Sequence, residues 1–327
     1  MSKLPSEQTD PVYPRPYIAP HQEQFLQGRP AIEGHAGFRT HYVWSMIKLI
    51  RLNKPIGILL LLWPTLWALW LASAGQPDLS LVLIFTAGTV LMRSAGCAIN
   101  DYADRHVDGQ VSRTINRPLV TGELRPKTAL ITAMVLALVA ASLLFFLNSL
   151  TVGLALIAVL LASVYPFMKR YTYLPQVVLG AAFAWSVPMA FAAQTEMISG
   201  LAWLLFTITL LWTTAYDTVY AMVDRADDLQ AGIKSTAILF GEADVTIIMI
   251  LYALVIAGLI IIGQRLSILE SGWQGYAYYA GLSLAGLCFI YQYQLIKNRQ
   301  PAQCFQAFLN NNLVGFWIFA GIALAYW

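Results

Sequence analysis

Residues 79–108 read LSLVLIFTAGTVLMRSAGCAINDYADRHVD. The run Leu79–Ile99 is apolar apart from a single charge, Arg93. A helix needs about 20 such residues to cross the hydrocarbon core of a bilayer. An outer-membrane strand would instead alternate apolar and polar positions over about 10 residues, and this run does not. The stretch therefore predicts a membrane helix that runs out into acid. Asn100, Asp101, Asp104 and Asp108 follow directly at its end.

The rest of the chain has the same character. Its 327 residues are 58% hydrophobic and 11% charged, with a mean hydropathy of +0.62. Soluble domains carry about 25% charged residues, so too few charges are present here to cover a water-facing surface. Further apolar segments occur at Ile56–Ser73, Ala129–Leu147, Thr151–Phe167, Val177–Ala193, Leu201–Met222, Val245–Gly263, Tyr276–Ile296 and Phe305–Trp327. With Leu79–Ile99 they predict an all-α membrane protein of about nine transmembrane helices. Cys97, Cys288 and Cys304 show no metal or redox spacing and read as small packing residues.

Residues 1–42 differ from this pattern. They are polar and contain Pro5, Pro11, Pro14, Pro16, Pro20 and Pro30. They are expected to form a disordered tail ahead of a transmembrane domain at 43–327. Glu7, Asp10, Glu23 and Glu33 argue against a mitochondrial transit peptide, and no charged-then-apolar opening suggests a signal peptide.

Charge between the segments is lopsided. With nine helices, one set of loops holds Lys48, Arg51 and Lys54, then Arg105, Arg113, Arg117, Arg125 and Lys127, then Lys169 and Arg170, then Arg225 and Lys234, then Lys297 and Arg299. The opposite set contains only Arg265. The positive-inside rule places the first set, and the N-terminus, in the cytoplasm.

Two acidic stretches lie on that side. On a helix, positions four apart share a face, so Asn100, Asp104 and Asp108 are expected to form one stripe of oxygen ligands. The sixth apolar segment ends likewise, with Tyr220, Asp224 and Asp228 four apart and Asp217 seven before Asp224. Acids at one helix end often just face water. Two such stripes on one side, in a chain with 17 acidic residues, point to function, as ionisable groups at membrane depth do. Oxygen ligands without His or Cys suit Mg²⁺, which commonly bridges carboxylates to substrate phosphates.

Basic residues accompany both stripes: Arg113, Asn116 and Arg117 after the first, Lys234 and Ser235 after the second. They suit the charge of a diphosphate; the alternative is loop anchoring at headgroups. Arg170 ends the fourth segment beside Lys169. It would bind a carboxylate bidentately or simply snorkel to the interface. Arg93 faces the side of Asn100, either to reach a cavity or to pair with an acid. His106 reads as loop surface.

The chain resembles the UbiA-type intramembrane prenyltransferases from about Arg51 to its C-terminus, and among them those acting on 4-hydroxybenzoate. The resemblance rests on KPIG at 54–57 leading into LWPTLWALW at 62–70, on the first acidic motif with residues 113–118, and on YPFMKR at 165–170. The second motif through Gly232, Lys234, Ser235 and Thr236, and Asn310 to Asn312, complete it. It implies a helical bundle around a central cavity that opens to the cytoplasmic face and laterally to lipid, in a bacterial inner membrane. It implies Mg²⁺ at Asn100, Asp104 and Asp108 and at Asp224 and Asp228. Polyprenyl diphosphate would bind there with Asn100, Arg117, Tyr220 and Lys234. Arg170 would receive the carboxylate of 4-hydroxybenzoate, with Asp104, Asp224 and Arg170 as catalytic residues and Asp224 activating the acceptor. Membrane lipid is the expected surrounding, and no nucleic-acid partner is implied. Other acceptors within the family, or a cation-coupled transporter, are the rival readings; transporter sites commonly lie near the bilayer midplane instead.

Overall fold

The computed structural model describes residues 35–106, 108–110, 114–268 and 272–327, with side chains from His41 onward apart from Gln110. Most of the expected tail, and Arg113, lie outside the described residues. Among the described residues all regular structure is helical. In chain order the helices are α1 (His35–Leu49), α2 (Ile56–Ala72), α3 (Leu79–Asp104), α4 (Pro126–Ser142), α5 (Ser149–Tyr171) and α6 (Pro175–Ala184). Then come α7 (Ser186–Thr195), α8 (Gly200–Gln230), α9 (Thr236–Phe240), α10 (Asp244–Arg265), α11 (Trp273–Ile296) and α12 (Pro301–Ala325).

Local signals explain where these helices begin. Pro126, Pro175 and Pro301 occupy the first turns of α4, α6 and α12, where a missing N–H costs nothing. Asp78, Asn148, Ser199 and Ser235 cap α3, α5, α8 and α9 through side-chain oxygens. Among the described residues six spans are long and apolar enough to cross a membrane: Leu79–Asp104, Pro126–Phe146, Ser149–Tyr171, Pro175–Thr195, Thr236–Arg265 and Pro301–Ala325. Leu138, Phe145, Leu156 and Leu160 on α4, α5 and the turn between them are exposed. Such an apolar surface suits lipid rather than water.

One end departs from the sequence expectation. The first acidic stripe was expected on one continuous helix through Asp108. Instead α3 stops at Asp104, and Asp108 begins a separate 3₁₀ turn, Asp108–Gln110. Two arginines account for the stop. Arg105 donates to the carbonyl of Tyr102 at 2.7 Å, and Arg170 to that of Ala103 at 3.3 Å. Basic side chains on the last carbonyls are a common helix ending.

Helix α8 packs against α6, α7, α10 and α12. Its Trp212 ring lies 5.1 Å from that of Trp67 on α2, centroid to centroid. The Asn310–Asn312 triplet ties α12 to three neighbours. Trp63 donates to Asn312 Oδ1, Trp212 to Asn311 Oδ1 and Gln292 to Asn310 Oδ1, each at 2.9 Å. Gly281 lets α11 approach α12, since a Cβ there would meet the Trp317 carbonyl oxygen at 2.6 Å. Small residues at such crossings are usual in membranes. A smaller core of Leu49, Ala95, Ala98, Leu124, Ala129 and Ala133 joins α1, α3 and α4.

Candidate active site

A cavity of about 1490 Å³ collects both acidic stretches. Its apolar part is walled by residues such as Leu130, Met134, Leu144 and Val159 from α4, α5 and the turn between them. Its polar end carries Asn100, Asp101, Asp104, Asp108, Asp217, Tyr220, Asp224 and Asp228. One space therefore joins a greasy wall to a double row of oxygen donors.

The first acids are not bare. Asp101 and Asp104 are buried at the end of α3, and Asp108 is buried in the turn beyond. Arg51 reaches Asp101 at 2.8 Å. Arg117 spans Asp101 at 3.1 Å and Asp108 at 2.5 Å. Lys169 bonds Asp104 at 2.5 Å. Three carboxylates thus face three cations. Burial nonetheless outweighs Arg117 at Asp108 and pushes its carboxyl up to about 6. Arg51 makes its contact from a left-handed backbone, φ 60°, a conformation that surrounding contacts must hold for a residue with a side chain.

The second acids ride on an unbroken helix. α8 continues to Gln230, so Asp217, Tyr220, Asp224 and Asp228 share the face that lines the cavity. The Tyr220 ring lies against Phe308, 4.6 Å between centroids. The chain then doubles back. The Lys234 N–H donates to the Lys169 carbonyl at 3.1 Å, and its Nζ donates to that of Tyr171 at 3.3 Å. Lys234 and Ser235 so return to the cavity wall.

Two arginines whose places the sequence left open fall differently. Arg170 is exposed at the end of α5 and does not line the cavity. Arg93 does line it. Its Nε is buried without a hydrogen-bond partner, and its guanidinium lies 5.6 Å from the Phe183 ring centroid. Gly57 makes this room, because a Cβ there would sit 2.7 Å from Arg93 Nη2. His106 is exposed and off the cavity.

The donor set fits a divalent cation shared with phosphate. Asp104 Oδ1 is buried with no hydrogen-bond partner. Among the described residues no three His, Cys, Asp or Glu side chains converge tightly enough to hold a metal alone. That is the arrangement Mg²⁺ tolerates, with one or two carboxylates completed by substrate phosphates. Sequence reasoning missed Lys169 and Arg51 as partners of these acids. Their only signal was a basic residue at a helix end.

The fold and cavity define a multi-pass membrane protein with an acid-lined, lipid-compatible chamber. The model of the UbiA prenyltransferase family matches residues 61–320, and the chain belongs to that family. It is 56% identical to the 4-hydroxybenzoate octaprenyltransferase of Aeromonas hydrophila over 282 residues, 86% of this chain and 96% of that one. It is also 56% identical to the enzyme of the same name from Nitrosococcus oceani, over 85% of this chain and 96% of the other. Among solved structures, the apo UbiA homolog from Aeropyrum pernix superposes with a TM-score of 0.70 at 24% identity, covering 81% of this chain and 96% of that one. The Archaeoglobus fulgidus UbiA homolog bound to GPP and Mg²⁺ gives 0.62 at 16% identity, covering 86% and 99%.

Proposed function

We propose that this protein transfers a polyprenyl group from polyprenyl diphosphate to the ring carbon ortho to the hydroxyl of 4-hydroxybenzoate, in ubiquinone biosynthesis. The observation that carries the reading is the meeting of two acid-ended helices, α3 and α8, in one apolar-walled cavity. Relatives 56% identical to it along 96% of their own length bear the matching name.

Mg²⁺ would be held by Asn100, Asp104 and Asp108 on one side and Asp224 and Asp228 on the other. When bound it supplies positive charge at the diphosphate, easing departure of the leaving group. Arg117 and Lys234 bind diphosphate oxygens, and Asn100 and Tyr220 add hydrogen bonds. The C1–O bond of the allylic donor breaks, the ring carbon forms the new C–C bond, and that carbon loses its proton. Asp224 activates the acceptor's hydroxyl. The isoprenoid tail lies along the apolar wall of α4 and α5.

Two guanidiniums suit the acceptor's carboxylate. The family resemblance implies Arg170, which would act from the rim. The Arg93 guanidinium, which lines the cavity with its Nε buried and without a hydrogen-bond partner, supports Arg93. The topology that accompanies this reading has nine membrane helices, a cytoplasmic N-terminus, a cavity open to the cytoplasm and sideways to lipid, and a bacterial inner-membrane location.

The test is incubation of membranes with labelled polyprenyl diphosphate, Mg²⁺ and a panel of aromatic acceptors. Covalent transfer to 4-hydroxybenzoate is expected, and omission of Mg²⁺ abolishes it. Transfer only to another aromatic would reassign the acceptor, and cation movement without transfer would favour a transporter.

A further inference from the structure

A second charged cluster backs onto α8 away from the cavity. Asp244, the first residue of α10, is fully buried. Arg225 holds its Oδ2 at 2.5 Å and Arg299 its Oδ1 at 2.9 Å. None of the three lines the cavity. Arg225 follows Asp224 directly, so it leaves α8 about 100° round the helix from it. Arg225 also donates to the carbonyls of Ala237 and Gly241, and Arg299 to that of Glu242 at 2.8 Å.

One carboxylate thus clasps three pieces of chain: the end of α8 that bears Asp224 and Asp228, the α9 turn that follows Lys234 and Ser235, and the connection ahead of α12. The Thr218 and Thr236 hydroxyls, 2.7 Å apart, tie α8 to α9 a second time. Burying an ion pair gains little over packed apolar residues. What a charged knot adds is a single geometry, with directed bonds from two planar guanidinium forks.

We infer that Asp244 is a positioning residue for the second acidic motif. Through Arg225 it sets how far Asp224 and Asp228 stand from Lys234 and Ser235, and so how well the site holds metal and diphosphate, which Asp244 never touches. This rests on reading the cavity as a metal–diphosphate site.

The experiment uses the full chain in membranes, as wild type, Asp244→Asn, Asp244→Glu and Arg299→Gln. Initial rates are measured against Mg²⁺ and against polyprenyl diphosphate, with apparent Tm taken on the same preparations. Outer-shell partners of metal ligands typically alter affinity 10–100-fold. Asp244→Asn is expected to raise half-saturating Mg²⁺ and donor about tenfold, with kcat and the acceptor KM changed less than about threefold. Arg299→Gln shifts both in the same direction by less, and Asp244→Glu recovers part. Wild-type half-saturation in either folded variant, or a kcat loss that only tracks the folded fraction, would overturn the inference. If Asp244→Asn does not accumulate, Arg299→Gln decides, since Arg225 still holds Asp244. A wild-type chain without Mg²⁺-dependent transfer would overturn the site reading itself.

Discussion

Lys169 Nζ lies 2.5 Å from Asp104 Oδ2, joining the last turn of α5 to the last turn of α3. The other oxygen, Oδ1, is buried and unpartnered. The lysine therefore holds the carboxylate in place while leaving one oxygen for a cation. Asp104→Asn should reduce transfer to below about 1% of wild type, and Lys169→Met by about 10²-fold in kcat/KM for the donor. The double variant should lose little more than Asp104→Asn alone, because groups acting as a unit are not additive. Multiplying losses, in steady-state assays of all three, would show independent roles.

Arg93 and Arg170 make opposite predictions. A guanidinium fork on a carboxylate is not replaced by an ammonium. Arg93→Lys should raise the KM for 4-hydroxybenzoate at least about tenfold with the donor KM unchanged. Gly57→Ala, which crowds Arg93 Nη2 at 2.7 Å, should shift it the same way. Arg170→Gln should move it by less than about threefold. A large effect of Arg170→Gln alone would place the carboxylate at the rim.

Asp108 gives the site a pH dependence. Its carboxyl is pushed up to about 6, burial outweighing Arg117. For stability, a raised carboxyl contributes most below its unfolded value of about 3.9 and loses that contribution as pH rises through about 6. For ligands the sign reverses, because a metal needs the ionised form. Half-saturating Mg²⁺ should therefore climb as pH falls from about 7 to about 5. Mg²⁺ titrations of Asp108→Asn should show a flatter pH profile; an unchanged profile would remove Asp108 from the cause.

Asn311 should matter to stability rather than turnover. It is fully buried, accepts from Trp212 at 2.9 Å and donates to Gln292 at 3.2 Å. Asn311→Ala orphans the buried indole N–H, which costs about 1–3 kcal/mol. Thermal unfolding in detergent should shift down, while KM values of the surviving enzyme stay near wild type.

The sequence was most legible where local rules act alone. Apolar runs foretold the long helices, and the four-residue spacing foretold the Tyr220–Asp224–Asp228 face because α8 never breaks. The same spacing misled at Asp108. Nothing local says that Arg105 and Arg170 will take the carbonyls at the end of α3. Pairings between helices were illegible for a related reason. Arg51 and Asp101 are 50 residues apart, and Lys169 and Asp104 are 65 apart. Only the assembled bundle chooses among so many cations. Asp244 was invisible because it looked like one acid at a helix start, and its partners come from the end of α8 and the connection ahead of α12.

The pairing of acids and bases bears on how the chain is built. A membrane protein is synthesised from its N-terminus, so Arg51 is already present when Asp101 arrives. Asp104 enters 65 residues ahead of Lys169. Until α5 follows, that carboxylate has no counter-charge from its eventual partner, and hydrocarbon is a costly place for it to wait. Its position in the final turn of α3 lets it wait at the headgroup boundary. The Asp104–Lys169 pair can form only once α5 is made, 65 residues later, so the first acidic cluster is completed after its own helix.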